Sequence, residues 1–201
     1  LLATATMVGA AVGSAPIGVL FDNIGWHSGL LYIAYIAFGL AFLALMFVKN
    51  KDKPQASEST GFSEIKKIIF NRNNIYLLLY SGLTFSPVVI LGGLWGVPFF
   101  QVKCAISSSD AATLISIMFL GHAIGSPTWA LLSTLLNNKK HIMVLANIVS
   151  FSSLCILIYL PISYACAEIL FAIFGFCVGA FMLSFDLCRQ TNSVAVMGFA
   201  V

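Results

Sequence analysis

The sequence predicts an all-α polytopic membrane protein. Three observations carry that reading. Hydrophobic residues are 60% of the chain and charged residues 8%, which leaves too little charge to cover a water-facing surface. The apolar runs are each roughly twenty residues or more, the length of a helix that crosses ~30 Å of hydrocarbon, whereas barrel strands alternate over about ten. The charge is also gathered in one place. Segment 49–74 holds six of the ten basic residues (Lys49, Lys51, Lys53, Lys66, Lys67, Arg72) and three of the seven acidic ones (Asp52, Glu58, Glu64). So polar a segment cannot sit in hydrocarbon, so it is a solvated loop between two membrane blocks.

The chain opens with an apolar run, 1–20, rich in small residues and containing Gly9, Gly13, Pro16 and Gly18. A short turn, FDNIGWHS, follows, with Trp26 at interfacial depth. Residues 29–48 form a plain span. Within the charged loop, Phe62, Ile65, Ile68 and Ile69 share one helical face and Glu64, Lys66 and Lys67 lie off it, the pattern of a short helix on the membrane surface. Span 75–100 is interrupted by Gly82, Pro87, Gly92, Gly93, Gly96 and Pro98. Ser107, Ser108, Ser109 and Asp110 supply N-cap residues for span 111–136, which carries Gly121, Gly125 and Pro127. Asn137–His141 is a basic turn. Span 142–160 stops at Pro161, and span 165–185 carries Gly175 and Gly179. After the polar turn 186–192, residues 193–201 begin a seventh span.

Alternating the loops across the bilayer puts 49–74, 137–141 and 186–192 on one side, with nine Lys and Arg, and leaves only Lys103 on the other. Positive charge marks the cytoplasmic side. One helix too many or too few would scramble this asymmetry.

Glycine pairs four apart, at Gly9/Gly13, Gly92/Gly96, Gly121/Gly125 and Gly175/Gly179, let helix backbones approach closely in lipid. Tight packing explains them, and so does a surface that slides during a transport cycle. His122 is twelve residues past Asp110, about 18 Å along a helix, near mid-membrane. An ionisable group at that depth is a candidate functional residue; the plainer alternative is a neutral histidine hydrogen-bonded to a neighbouring helix. Glu168 lies one turn inside its span. Asp186 and Arg189, three apart, are placed to pair. The five cysteines show no ligand spacing, so neither a metal site nor a disulfide framework is expected. No cofactor is implied. The motifs of nucleophilic hydrolases, zinc proteases and nucleotide-binding loops are missing, and the reading is not an enzyme.

GSAPIGVLFDNIGWHSGLLYIA (13–34) resembles the connection between the fifth and sixth helices of the major facilitator superfamily. LWGVPFF (94–100) and SSSDAATLISIMFLGHAIGSP (107–127) resemble helices seven and eight of its sugar-phosphate and organic-anion permeases. The likeness covers nearly the whole chain, from helix five into helix eleven of a twelve-helix fold. It implies that 1–48 is the end of an N-terminal bundle, 49–74 the cytoplasmic central loop, and 75–201 an incomplete C-terminal bundle. Gly9, Gly13, Gly121 and Gly125 would lie on helices that meet between the bundles. Tyr80, Ser86, Trp95, His122 and Glu168 would line the substrate or proton path. Ser133, Lys139 and Lys140 match part of a cytoplasmic gate motif, but Ala130, Thr134 and Leu135 stand where Gly, Asp and Arg are usual. Gln190 replaces a frequent Glu, and His27 the Arg of Gly-Trp-Arg. The drug-antiporter pattern of helix five is met only as Ala15-Pro16-Ile17-Gly18.

The implied function is proton-coupled uptake of a small polar organic solute by alternating access, in the cell membrane and most simply a bacterial inner membrane. Partners are the lipid bilayer, the solute, protons and the missing helices of the same transporter, with no nucleic acid. Efflux antiport is the alternative in the same class. An inert, truncated transporter remnant is the alternative outside it, because neither end of the chain reads as a natural terminus. On the fragment reading, these 201 residues alone neither transport nor form a stable monomer in detergent. The orientation is tested by labelling single cysteines with an impermeant thiol reagent from outside. A cysteine at Ser108 should react and one at Ser57 should not; the reverse would overturn the topology.

Overall fold

The computed structural model describes residues 2–48 and 70–192. The surface helix expected at 62–69 and the seventh span lie outside the described residues. Within them the chain forms α1 (Leu2–Ile24), α2 (Trp26–Phe47), α3 (Arg72–Cys104), α4 (Ser108–Leu136), α5 (Lys139–Tyr159) and α6 (Tyr164–Thr191). The helices α2 to α6 are long and apolar enough to cross a membrane; in α1 the apolar stretch is Thr4–Gly13.

The helix starts follow from local chemistry. Asn71 accepts from the backbone N–H of Asn73, Ser107 from Asp110, Asn138 from His141 and Ser163 from Cys166, each satisfying a donor that has no partner inside the first turn. The bend between α1 and α2 turns on Gly25, whose φ of 76° few other residues adopt. Asn137 closes α4 in the left-handed conformation, φ 48°.

Two helices are irregular. In α3 the π segment Ile90–Trp95 separates Arg72–Val89 from Gly96–Cys104. The Pro87 and glycine interruptions therefore do not break the helix; a π insertion absorbs them and the rod stays continuous. In α6 a 3-10 turn, Gly179–Phe181, sits between Tyr164–Val178 and Met182–Thr191.

The core is made by α4, α6 and α5, with α3 laid across them. One cluster joins Val88, Phe100, Leu114, Met118, Leu157, Phe171 and Phe174; another joins Trp129, Ile142, Met143, Cys177 and Leu183. By contrast α2 buries only Gly29 and exposes apolar side chains all around, as a helix facing lipid does. The five cysteines are all free.

The closest approach is between α4 and α6. A Cβ on Gly121 would lie 2.6 Å from the Ala172 carbonyl oxygen, and one on Gly179 would lie 2.6 Å from the Ser126 nitrogen. Added Cβ atoms on Gly125 and Gly175 would collide with the carbonyls of Phe176 and Met118. Two of the four glycine pairs thus face each other, with Gly121 and Gly125 seated against α6 while α4 also lies along α1. The other expected pair does not complete such a contact. α1 does run along α4, but it buries Met7 and Ala11, and a Cβ on Gly9 would meet nothing within 4 Å. Gly13 would meet only Ile17 of its own helix.

The glycine crossing predicts opposite outcomes for two alanine substitutions. Gly175→Ala should lower stability in detergent by about 1–3 kcal/mol, the usual cost of overpacking. Gly82→Ala, where a Cβ has open space, should be neutral or gain about 0.5–1 kcal/mol from helix propensity. Thermal unfolding followed by tryptophan fluorescence separates the two; equal effects would mean the crossing is not tight.

Candidate substrate pathway

His122 has no exposed surface. It follows Gly121, so the contact with α6 that needs a glycine also carries the imidazole into the interior. The backbone carbonyl of His122 accepts the Ser126 hydroxyl at 3.0 Å. Neither Nδ1 nor Nε2 has a hydrogen-bond partner among the described residues. Two aromatic rings stand edge to face against it: Phe85 of α3 at 6.1 Å between centroids and Phe181 of α6 at 5.5 Å. A neutral imidazole has one donor and one acceptor, and leaving buried polar groups unpaired costs about 1–3 kcal/mol each. Packing alone does not account for such a residue.

The other expected path residues do not gather at His122. The Tyr80 hydroxyl donates to the Met143 carbonyl at 3.2 Å and ties α3 to α5. Ser86 is exposed and donates to the Leu83 carbonyl of its own helix at 3.2 Å. Trp95 is 65% exposed at the end of the π segment, on a groove of about 420 Å³ with Pro98, Phe99, Val102 and Lys103. Glu168 is half-buried near the start of α6, one turn after Tyr164.

Sequence reasoning missed a second polar site. Thr84 donates to the Asn147 side-chain oxygen at 3.4 Å, and these two with Ser150 give polar character to a groove of about 220 Å³ walled by Leu83, Pro87, Phe151, Leu154 and Phe174. Asn147 is an amide inside an apolar span, and that was the available signal. Nearby, the Ser81 and Ser184 hydroxyls meet at 2.6 Å, and Ser184 also donates to the Phe181 carbonyl at 2.6 Å. Phe85 and Phe181 gave no signal as apolar residues in apolar runs.

At the basic end, Lys139 of α5 pairs with Asp186 of α6, and the Gln190 amide reaches the same carboxylate at 3.4 Å. The carboxylate expected to pair along its own helix thus ties two helices together. Asn74 and Asn192 exchange two amide hydrogen bonds of 3.0 Å, joining the start of α3 to the end of α6. Ser133 is buried and donates to the Ala130 carbonyl at 2.8 Å, away from Lys139; Lys140 is exposed. At the other end, Lys103 donates to the Ile158 carbonyl at 2.8 Å. These contacts put the starts of α3 and α5 beside the end of α6, as the charge asymmetry requires.

Long apolar helices around an apolar interior that holds one buried histidine, with irregular turns in two of them, define a multi-pass α-helical membrane protein. The chain belongs to the Major Facilitator Superfamily, whose family model matches residues 1–192. Membership makes secondary transport across a membrane its general function. No curated protein and no solved structure matches the chain.

The Lys139–Asp186 pair is partly exposed, with side chains 22% and 51% accessible. Screening then limits its worth, so a double-mutant cycle with Lys139→Gln and Asp186→Asn should give a coupling below about 1 kcal/mol. A larger coupling would make the pair a principal fastening of this end of the bundle.

Proposed function

We propose that the chain belongs to a transporter that takes up a small polar organic solute together with protons by alternating access, working with the helices that complete its two bundles. In this reading 1–48 closes the N-terminal bundle, 49–74 is the cytoplasmic connector and 75–201 belongs to the C-terminal bundle. The membrane is the cell membrane, in bacteria the inner one. The observation that carries the proposal is His122: an imidazole buried at mid-span with both ring nitrogens unpartnered among the described residues. The facing side chains are Phe85 and Phe181; the acidic Asp110 and Glu168 lie nearer the helix starts.

Two further features support transport. The groove at Thr84, Asn147 and Ser150 is only about 220 Å³, below the roughly 300–1,000 Å³ of most ligand sites, so in this state it has room only for a compact solute or part of one. The two parts of α3 are also held differently. Tyr80, Ser81 and Thr84 hydrogen-bond to α5 and α6 below Pro87, whereas the outer part meets α4 through apolar contacts of Gly92 and Gly96 with Ile115, Met118 and Phe119. The resemblance of 94–127 to sugar-phosphate and organic-anion permeases sets the solute class to try first. Uptake is preferred to efflux because the antiporter pattern in 15–18 is incomplete.

The test uses liposomes containing the full-length transporter, an imposed pH gradient and a panel of sugar phosphates and organic acids. Expected is solute accumulation that follows the gradient. His122→Gln keeps a hydrogen-bonding group without titration, and should abolish gradient-driven accumulation while sparing downhill exchange. Unchanged pH dependence in His122→Gln would remove the proton role, and no accumulation across the panel would overturn the uptake reading.

A further inference from the structure

Ser150, in the groove between α3 and α5, differs from the other buried serines of the spans. Ser116, Ser126, Ser133, Ser153 and Ser184 each donate their hydroxyl to a carbonyl three or four residues back in the same helix, the usual way a helix satisfies such a group. Ser150 is comparably buried, at 4% exposure, yet its hydroxyl has no hydrogen-bond partner among the described residues and lines the groove instead.

Asn147 lies three residues earlier on α5, on the same helical face. Its side-chain oxygen accepts from the buried Thr84 hydroxyl at 3.4 Å. That bond orients the amide and leaves its N–H donors without a partner among the described residues. An amide donor and an untied hydroxyl thus line a space of about 220 Å³. The remaining lining is Leu83, Pro87, Phe151, Leu154 and Phe174, so among the described residues no charged side chain faces the groove. A carboxylate or phosphate entering it would lose water and find no cation, which is costly. A hydroxyl group can both donate and accept, so it matches the amide and the serine together, while its carbon frame lies on the apolar walls.

We propose that this groove binds an uncharged, hydroxyl-bearing part of the solute, with Asn147 and Ser150 as the contacting residues and Thr84 as a positioning residue for the Asn147 amide. Any carboxylate or phosphate on the same solute is held outside the groove. The proposal names the solute class of the transport reading and rests on it; binding measured apart from transport keeps the two distinguishable.

The experiment is isothermal titration calorimetry on the full-length transporter in detergent, with gluconate, hexanoate and sorbitol as probes. Gluconate and hexanoate share a carbon chain length and a carboxylate and differ in their hydroxyls; sorbitol carries hydroxyls without the carboxylate. The parent should bind gluconate and sorbitol, and should bind hexanoate at least about tenfold more weakly than gluconate, because a site built for hydroxyls rejects the analogue that lacks them. Asn147→Leu should weaken gluconate and sorbitol by about tenfold and leave hexanoate unmoved. Ser150→Ala keeps the Thr84–Asn147 bond, should weaken the same two probes by roughly three- to tenfold, and carries the test if Asn147→Leu does not reach the membrane. Thr84→Val should shrink the preference for gluconate over hexanoate and Thr84→Ser should restore it, which a merely structural role would not do. Equal binding of hexanoate and gluconate by the parent, or no binding of gluconate and sorbitol, would overturn the proposal. So would variants that lower thermal stability and shift no preference, which would make the groove a packing seat for another helix. The hydroxyl preference without gradient-driven accumulation would keep the groove's assignment and discard proton-coupled uptake; accumulation with a preference unmoved by the variants would do the reverse.

Discussion

The described bundle depends on the contact between the backbones of α4 and α6. Lipid tails are as apolar as the side chains, so burying leucines gives helices little reason to associate within a membrane. Close packing and interhelical hydrogen bonds must do so. Gly121, Gly125, Gly175 and Gly179 bring main chain against main chain, and one turn further on Trp129 donates from its indole to the Phe176 carbonyl at 2.8 Å. The carbonyl beside Gly125 is thus also a hydrogen-bond acceptor from the same helix. Packing and polar attraction reinforce one another at a single place.

That crossing sets the positions of the other helices. α5 fills the groove beside α6 with Ile142, Met143 and Ala146, and α3 lies over the assembly with its polar residues turned to both. Below Pro87 these hydrogen bonds fix α3 in register. Above it, the π segment Ile90–Trp95 realigns the helix so that Gly92 and Gly96 meet α4. A plain α-helix would carry those glycines about 100° per residue out of phase for each residue inserted. The insertion therefore reconciles polar anchors in one half with a small-residue seat in the other.

Much of this was legible in the residues, for identifiable reasons. Span lengths, caps and sidedness follow from hydropathy, side-chain chemistry and the placement of lysines, which are local or additive properties. Ser107 was readable as a cap because its hydrogen bond reaches only to Asp110. Partner choice was not readable. A glycine pair marks a face that tolerates close approach but contains nothing that names the helix opposite, so Gly121/Gly125 with Gly175/Gly179 could not be told from Gly9/Gly13. The prolines and glycines of α3 signalled disturbance, yet a break and a π insertion share that composition. His122 stood out as the ionisable group at mid-span. Its surroundings did not, because Phe85 and Phe181 come from other helices and are unremarkable where they stand in the chain.

The position of His122 beside the tightest crossing has a physical logic. An unpaired imidazole in a dry interior costs free energy, and a loosely packed bundle would relieve that cost by rotating the ring toward any polar neighbour. Such strain persists only where the surroundings over-determine the geometry. Here the helix cannot rotate, because Gly121 on one side and Gly125 one turn later are both seated against α6 backbone. The imidazole is therefore held among aromatic edges. The next turn of α6 is seated in the same contact, through Gly179 against Ser126 of α4. The unpaired imidazole and the rigid backbone that holds it are thus two consequences of one arrangement of glycines.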